Sequence, residues 1–183
     1  TAFAYGPSVV IERYLAAASV VRITVVDYAW LAAVERITPI VMGDGTHSVS
    51  ELVVQKNSDP GRGEPDDETK TVYKVILDSV SDQLLTQKGY TRTSIPKKGE
   101  RVEVQTDPFI RLGADLKDVT DVVHPDTAAL CQNVAKHFGV RLVGIDVICE
   151  DITQSYKNQR FAILELNSLP CIEIHHYPTE GQS

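Results

Sequence analysis

Three side chains near the end of the chain carry oxygen atoms in a pattern that suits a divalent cation. Asp146 lies in an apolar run at 143–148, and Glu165 and Asn167 lie in a second apolar run at 161–167. Because side chains alternate across a strand, Glu165 and Asn167 point to the same face. If the two runs pair as a hairpin, Asp146 joins them. Carboxylate and amide oxygens favour Mg²⁺ or Mn²⁺, usually shared with the phosphates of a nucleotide.

Two other interpretations of these terminal residues compete with the magnesium site. The three oxygen-bearing groups could be solvated polar residues at strand ends, but an uncompensated buried charge is costly, which favours a bound cation. Further along, Cys171, His175 and His176 are the residue types that bind zinc. Three such groups without a clear fourth ligand are weak evidence, so we expect the histidines to contact substrate instead.

The composition is that of an ordinary globular protein. The chain has 183 residues, 43% hydrophobic and 23% charged. Its net charge of -7 argues against nucleic-acid binding. No run approaches the roughly 18 apolar residues of a membrane span, and no signal peptide is visible. The three cysteines lack CxxC spacing and are expected to be reduced, as in a cytoplasmic protein. The first residue is not Met, so we expect a piece of a longer protein.

The helices and strands that must position the site are predicted to form a mixed α+β fold. Apolar runs at 20–26 and 30–37 predict two strands, joined by a tight turn at Asp27 and Tyr28 into an antiparallel hairpin. Ser48 and Glu51 have the spacing of a capping box and predict the start of a short helix. Strands outnumber helices and do not alternate strictly with them, which favours the α+β class.

The middle of the chain combines a polar loop with helical patterns. Residues 57–69 contain no large apolar side chain and predict a flexible loop. The spacing of apolar residues over 70–87 predicts an amphipathic helix. A second helix is expected to begin at His124-Pro125 and to end at Gly139. The side chains that share its apolar face are Leu130, Val134 and Phe138.

These motifs together resemble the ATP-grasp ligases. The matching segments near the end are, in order, DVTDVVHP, GVRLVGIDVICEDI, ILELNSLP and HHYPTEG. Upstream, the segments VVIERYL, AAVERITPIVMGDGTHSVSELV and NSDPGRG match in the same order, so the resemblance covers almost the whole chain. It is strongest to cyanophycin synthetases and to the ATP-grasp half of bifunctional glutathione synthetases. Residues 1–183 are therefore expected to form the C-terminal portion of an ATP-grasp fold, an antiparallel sheet flanked by helices.

The resemblance implies an enzyme that couples ATP cleavage to the formation of an amide bond. In such enzymes a substrate carboxylate attacks the γ-phosphate, and an amine then displaces phosphate from the acylphosphate. ATP and Mg²⁺ (or Mn²⁺) are the implied cofactors. The implied metal ligands are Asp146, Glu165 and Asn167. Phosphoryl transfer depends mainly on positioning and on neutralising charge, which agrees with this set of ligands.

Further site residues follow from matching positions. The resemblance implies that Glu12 contacts the nucleotide, that Arg22 faces phosphates or a substrate carboxylate, and that Arg36 lies near the active site as a catalytic residue. Arg62, in the loop NSDPGRG, would reach anionic substrate when that loop closes over the site. A surface ion pair with Glu35 is an equally good interpretation of Arg36, and a solvated loop is an equally good interpretation of 57–69.

Contacts with substrate are implied for Asp118, Asp121, His175 and His176. Asp121 could equally supply negative charge at a helix N-terminus. The substrates are expected to be small-molecule or peptide carboxylates and amines. The departures from the family pattern at Phe109, Arg111 and Cys171 leave their identity open. The oligomeric state is open as well, with a homo-oligomer among the alternatives.

Two other functions compete with the cyanophycin synthetase-like ligase. One is a non-catalytic domain that keeps the fold as a nucleotide-binding scaffold, and the other is an ATP-grasp ligase of another subgroup, such as the D-alanine ligase type. The three metal-binding side chains favour activity in the parent protein. We find no upstream segment with phosphate-binding lysines and a glycine-rich loop. The 183 residues alone are therefore expected to bind Mg·ATP weakly, with little or no ligase activity.

Overall fold

A computed structural model describes residues 6, 8, 9, 11, 15, 19–67 and 69–181. Glu12, the predicted nucleotide contact, lies outside the described residues. Along the described part the elements are β1 (Ser19–Val26), β2 (Trp30–Ile37), β3 (Ile40–Met42), α1 (Val49–Asn57), β4 (Arg62–Gly63), β5 (Val72–Tyr73), α2 (Ser79–Gln87), β6 (Arg101–Glu103), β7 (Asp115–Asp118), α3 (Pro125–Phe138), β8 (Leu142–Cys149) and β9 (Phe161–Asn167).

The main sheet has five strands in the order β7-β2-β1-β8-β9, and every neighbouring pair is antiparallel. The hairpin predicted between the first two strands is confirmed. Its turn places Asp27 at φ 50° and Tyr28 at φ 65°, the left-handed pair that matches the twist of a two-residue hairpin. The terminal hairpin is confirmed too, with Asp146 directly opposite Glu165.

The two faces of the main sheet differ in character because β1 alternates. Val21, Ile23 and Val25 are fully buried and pack in one cluster with residues of β8 and with Cys131 of α3. The intervening side chains, Arg22 and Thr24, point to the opposite face. We call this opposite side the charged face, since it carries the predicted metal ligands of β8 and β9.

A small lobe, made of β3, α1, α2 and β6, has a core of its own. Val41, Val49, Leu85 and Val102 are among its buried residues. The predicted capping box is confirmed: the Ser48 side chain accepts the backbone N–H of Glu51, whose carboxylate accepts the backbone N–H of Ser48. The lobe is therefore a separate packing unit beside the main sheet.

The prediction of one helix over 70–87 was wrong in its first half. Residues 72–73 instead form β5, which pairs in parallel with β4 inside the predicted loop. The helix begins only at Ser79, because Asp78 caps it by accepting the backbone N–H groups of Val80 and Ser81. Pairing between distant residues overrode a helical spacing that was real only from residue 79 onward.

The helix predicted to run from His124-Pro125 to Gly139 is present as α3, with Gly139 in the left-handed conformation. Its buried side chains are Thr127, Cys131 and Ala135, whereas Phe138 of the predicted face is 62% exposed. The helix is thus rotated by about one residue from the expected orientation. Among the described helices, none is long and apolar enough to cross a membrane.

The contact between the small lobe and the main sheet predicts a glycine requirement. A Cβ on Gly113 (φ 93°) would lie 2.5 Å from the Cα of Val75, whereas nothing lies within 4 Å of a Cβ on Gly89 (φ 79°). Both substitutions to Ala strain the backbone, but only Gly113→Ala also forces two backbones apart. We expect Gly113→Ala to lower the free energy of unfolding by about 1–3 kcal/mol more than Gly89→Ala in urea titrations. Equal losses would contradict the close packing.

Candidate functional site

The centre of the charged face is a buried ion pair between neighbouring strands. Asp146 is 3% exposed and Arg22 is 7% exposed, and the two are direct cross-strand partners. The Arg22 Nε donates to Asp146 Oδ1, and its Nη2 donates to Oδ2 at 2.8 Å. Arg36 adds a second guanidinium, whose Nη2 lies 3.4 Å from both carboxylate oxygens. The two arginines and Asp146 therefore form one charged cluster.

The electrostatics of this cluster favour the ionised carboxylate. Burial by itself would raise the pKa of Asp146. The hydrogen bonds from Arg22 and the charges of Arg36 and Arg22 outweigh burial, so the pKa of Asp146 lies below its ordinary value. Asp146 thus stays ionised between the two guanidiniums, and the charge of Glu165 also acts on Arg22.

Glu165 and Asn167 lie beside Asp146 on the same face. Glu165 is exposed and Asn167 is half-buried. The Asn167 Nδ2 donates to Glu165 Oε1 at 3.1 Å, which leaves the amide oxygen and the second carboxylate oxygen for other partners. Among the described residues, no three His, Cys, Asp or Glu side chains group as a metal site. The predicted set relies on an amide as its third member.

The oxygen atoms of these three side chains suit Mg²⁺, provided that a cation can share Asp146 with the two arginines that already contact it. A carboxylate offers about four lone-pair sites, and Arg22 uses only two of those on Asp146. A cation could therefore share Asp146 with Arg22, or replace Arg36 at the longer contacts. The structure brings Asp146, Glu165 and Asn167 to one face, and their binding of metal remains a prediction.

Arg62 does not extend from a mobile loop, in contrast to its predicted position. It is 6% exposed, and its Nη1 donates to the Tyr73 carbonyl at 2.7 Å and to the Gly113 carbonyl at 3.1 Å. Its Nη2 donates to Asp115, which also accepts Lys56 Nζ at 2.6 Å. A desolvated guanidinium needs fixed acceptors. Arg62 therefore fastens the 57–69 segment to the main sheet.

His175 covers the charged face from a short helical turn, residues Ile172–His175. Its Nε2 lies 2.8 Å from the hydroxyl of Thr24, and its Nδ1 is buried with no partner among the described residues. Burial, reinforced by the positive charge of Arg22, lowers the pKa of His175 to about 4, although Asp118 opposes the shift. The imidazole is therefore neutral at pH 7.

The other predicted substrate residues are less closely grouped. Asp118 uses Oδ1 to accept the backbone N–H and the hydroxyl of Thr120. Asp121 is exposed on the following turn. His176 is exposed and lines a cavity of about 400 Å³ together with Arg62. Asp118 and His176 both lie near enough to His175 for their charges to act on its imidazole.

Two residues of the site were missed from the sequence. Thr24 follows Arg22 by two positions, so strand alternation alone could have placed it on the same face. Gly144 precedes Asp146 by two positions, and a Cβ there would lie 2.8 Å from Pro170 Cβ and 3.0 Å from Arg22 Cδ. No pattern in the sequence indicates that Arg22 and Pro170 cross over Gly144.

Known proteins similar to this chain were found by sequence and by structure. The chain is 34% identical over 174 residues to a cyanophycin synthetase of Nostoc sp., covering 95% of this chain and 19% of that protein. It is 32% identical over 182 residues to a bifunctional glutathione biosynthesis protein of Streptococcus agalactiae, covering 98% of this chain and 24% of that protein. No family model matches the chain.

The fold agrees with these relatives. The crystal structure of a bifunctional glutathione synthetase from Pasteurella multocida aligns with a TM-score of 0.82 and 31% identity, over 93% of this chain and 23% of that one. The chain is a homologue of the ATP-grasp ligases. The predicted resemblance and the predicted α+β, ATP-grasp fold with an antiparallel sheet are confirmed. The chain spans about a fifth to a quarter of the length of these relatives.

The lowered pKa of His175 predicts a pH dependence of stability in this ATP-grasp homologue. The unfolded imidazole binds a proton below about pH 6.5, whereas the folded one binds it only near pH 4. The folded state therefore loses stability as the pH falls from 6.5 to 4, because the unfolded state binds more protons in this range. Between pH 6.5 and pH 4 we expect the free energy of unfolding of His175→Gln to fall by about 1–2 kcal/mol less than that of the wild type, after allowance for partial exposure of His175.

Urea titrations at several pH values measure this difference, and His137→Gln at an exposed position of α3 is the matched control. A wild-type imidazole that titrates near pH 6.5 by NMR would contradict the buried, neutral state. So would an identical pH profile for the wild type and His175→Gln.

The close approach over Gly144 gives a second prediction for the site. In Gly144→Ala the added methyl group displaces Arg22 from Asp146, and we expect the free energy of unfolding to fall by about 1–3 kcal/mol. The loss should shrink in an Arg22→Val, Asp146→Leu background, because the displaced ion pair is absent there. An equal loss in both backgrounds would identify Pro170 as the obstacle instead.

Proposed function

We propose that the chain is part of an ATP-dependent carboxylate–amine ligase that forms an amide bond through an acylphosphate, as a cyanophycin synthetase-like member of its family. The observation that carries this proposal is the grouping of Asp146, Glu165 and Asn167 on the face that also holds Arg22 and Arg36. Three oxygen donors next to two guanidiniums match the needs of a metal-bound triphosphate. The cytoplasm is the proposed compartment.

Asp146, Glu165 and Asn167 would hold one or two Mg²⁺ ions. When bound, the metal neutralises charge that develops on the phosphate oxygens. The arginines then have a second role. The contact of Arg36 with Asp146 is long, at 3.4 Å, and therefore weak. An anionic oxygen can draw Arg36 away from Asp146 at small cost. Arg22 keeps Asp146 ionised and oriented through its two hydrogen bonds.

The proposed substrates are a small-molecule or peptide carboxylate and an amine. His175 would act as a neutral donor or acceptor beside them, because its buried Nδ1 is unpaired within the described residues. A non-catalytic nucleotide-binding role is the second candidate. It is favoured by one observation, that Asp146 is already neutralised by two guanidiniums.

Calorimetric titration with Mg·ATP tests the site directly. We expect weak, Mg²⁺-dependent binding by the wild type and its loss in Asp146→Asn, Glu165→Gln. Because Asp146 is buried and paired, its substitution could also unfold the chain. Glu165→Gln alone is therefore measured in parallel. Glu165 is exposed, so we expect this variant to fold normally. Its affinity for Mg·ATP should be about tenfold weaker than that of the wild type.

The control is Glu150→Gln, Asp151→Asn, which makes the same change in charge in the exposed loop after β8. Its heats should equal those of the wild type. Indistinguishable heats for the wild type and both site variants would remove the metal site. Retained ATP binding that no longer depends on Mg²⁺ would favour the non-catalytic role.

A further inference from the structure

Thr24 carries a buried hydroxyl that has one hydrogen-bond partner in the described part of the chain. The residue lies on β1, is 1% exposed and points to the charged face, as Arg22 does two positions earlier. Its Oγ1 lies 2.8 Å from His175 Nε2. A buried donor that is left without an acceptor is costly. His175 Nε2 is therefore the atom to which the Thr24 hydroxyl has reason to donate.

The imidazole of His175 can accept this hydrogen bond only in its neutral form. Burial lowers the pKa of His175 to about 4, so at pH 7 one ring nitrogen carries a proton and the other keeps a lone pair. An imidazolium has no lone pair to offer. Nδ1 is buried and has no partner among the described residues. The two nitrogens therefore differ, since one meets a hydroxyl and the other meets no polar group.

The two neutral tautomers of His175 leave different numbers of buried groups without a partner among the described residues. With the proton on Nδ1, Thr24 donates to Nε2, and only the Nδ1–H group is unpaired. With the proton on Nε2, that N–H group donates to Thr24 Oγ1. The hydroxyl proton of Thr24 and the Nδ1 lone pair are then both unpaired. Because each unpaired buried group destabilises the state that contains it, the Nδ1–H tautomer is favoured.

We propose that Thr24 is a positioning residue, which donates to His175 Nε2 and holds the proton of the neutral imidazole on Nδ1. This assignment rests on the proposed ligase function, in which His175 lies beside the substrates, and it narrows the role of the histidine. Nε2 is occupied by the hydroxyl, and Nδ1 has no lone pair. His175 can therefore donate a hydrogen bond from Nδ1, but it cannot take a proton from the attacking amine while Thr24 holds it.

The ¹⁵N chemical shifts of the His175 ring test this assignment, because a protonated and a bare ring nitrogen resonate at well-separated frequencies. Protein labelled with ¹⁵N-histidine is measured at pH 7 without ATP or metal, and the spectrum of His175→Gln identifies the signals of His175. We expect the wild type to hold the Nδ1–H tautomer in about tenfold excess, since the other tautomer leaves an additional buried group unpaired.

Two substitutions of Thr24 separate the hydroxyl from the shape of the side chain. Thr24→Val removes the hydroxyl and keeps a branched side chain, whereas Thr24→Ser keeps the hydroxyl and removes the methyl group. We expect the excess of the Nδ1–H tautomer to fall below about threefold in Thr24→Val and to remain near the wild-type value in Thr24→Ser. The matched control is Thr86→Val, at an exposed position of α2 where the hydroxyl donates to the Asp82 carbonyl. It should keep the wild-type excess.

Three results would overturn the assignment. The first is a wild-type protein in which the Nε2–H tautomer predominates, and the second is an unchanged excess of the Nδ1–H tautomer in Thr24→Val. The third is an excess that is lost in Thr24→Ser as well, since the methyl group and not the hydroxyl would then hold the ring. Because no ATP or metal is present, these outcomes are independent of the calorimetric test of the metal site.

Discussion

The buried pair between Arg22 and Asp146 is the interaction on which the charged face depends. Two charges in the middle of a sheet are costly to remove from water, and the cost is offset only when their geometry is good. The direct β1–β8 register supplies that geometry, and Gly144 leaves room for the arginine side chain. Loss of one partner would leave a buried charge, which typically costs about 3–5 kcal/mol.

The sheet can tolerate this pair because its two faces are covered differently. The apolar face is closed by α3, which shields Val21, Ile23 and Ile145 from water. The charged face is covered only in part, by the turn that carries His175 and by the segment near Val72. Stability thus comes mainly from one face, and the other is free to hold polar groups that bind ligands.

A second buried charge cluster fixes the small lobe against the sheet. Asp115 in β7 accepts hydrogen bonds from Lys56 in α1 and from Arg62 in β4. The close contact of Gly113 with Val75 lies in the same region. Arg62, expected as a mobile cation, is instead part of this attachment.

Local patterns in the sequence determined the long strands β1, β2, β8 and β9, the hairpin turn at Asp27, the capping box at Ser48 and the shared face of Glu165 and Asn167. These features depend on the period of a strand or on contacts within a few residues, so the sequence alone contains them. Tertiary structure decided the rest. The pairing of Arg22 with Asp146 and the burial of Arg62 against Gly113 join residues far apart in the chain. Such contacts depend on how the strands are ordered, which no local pattern records.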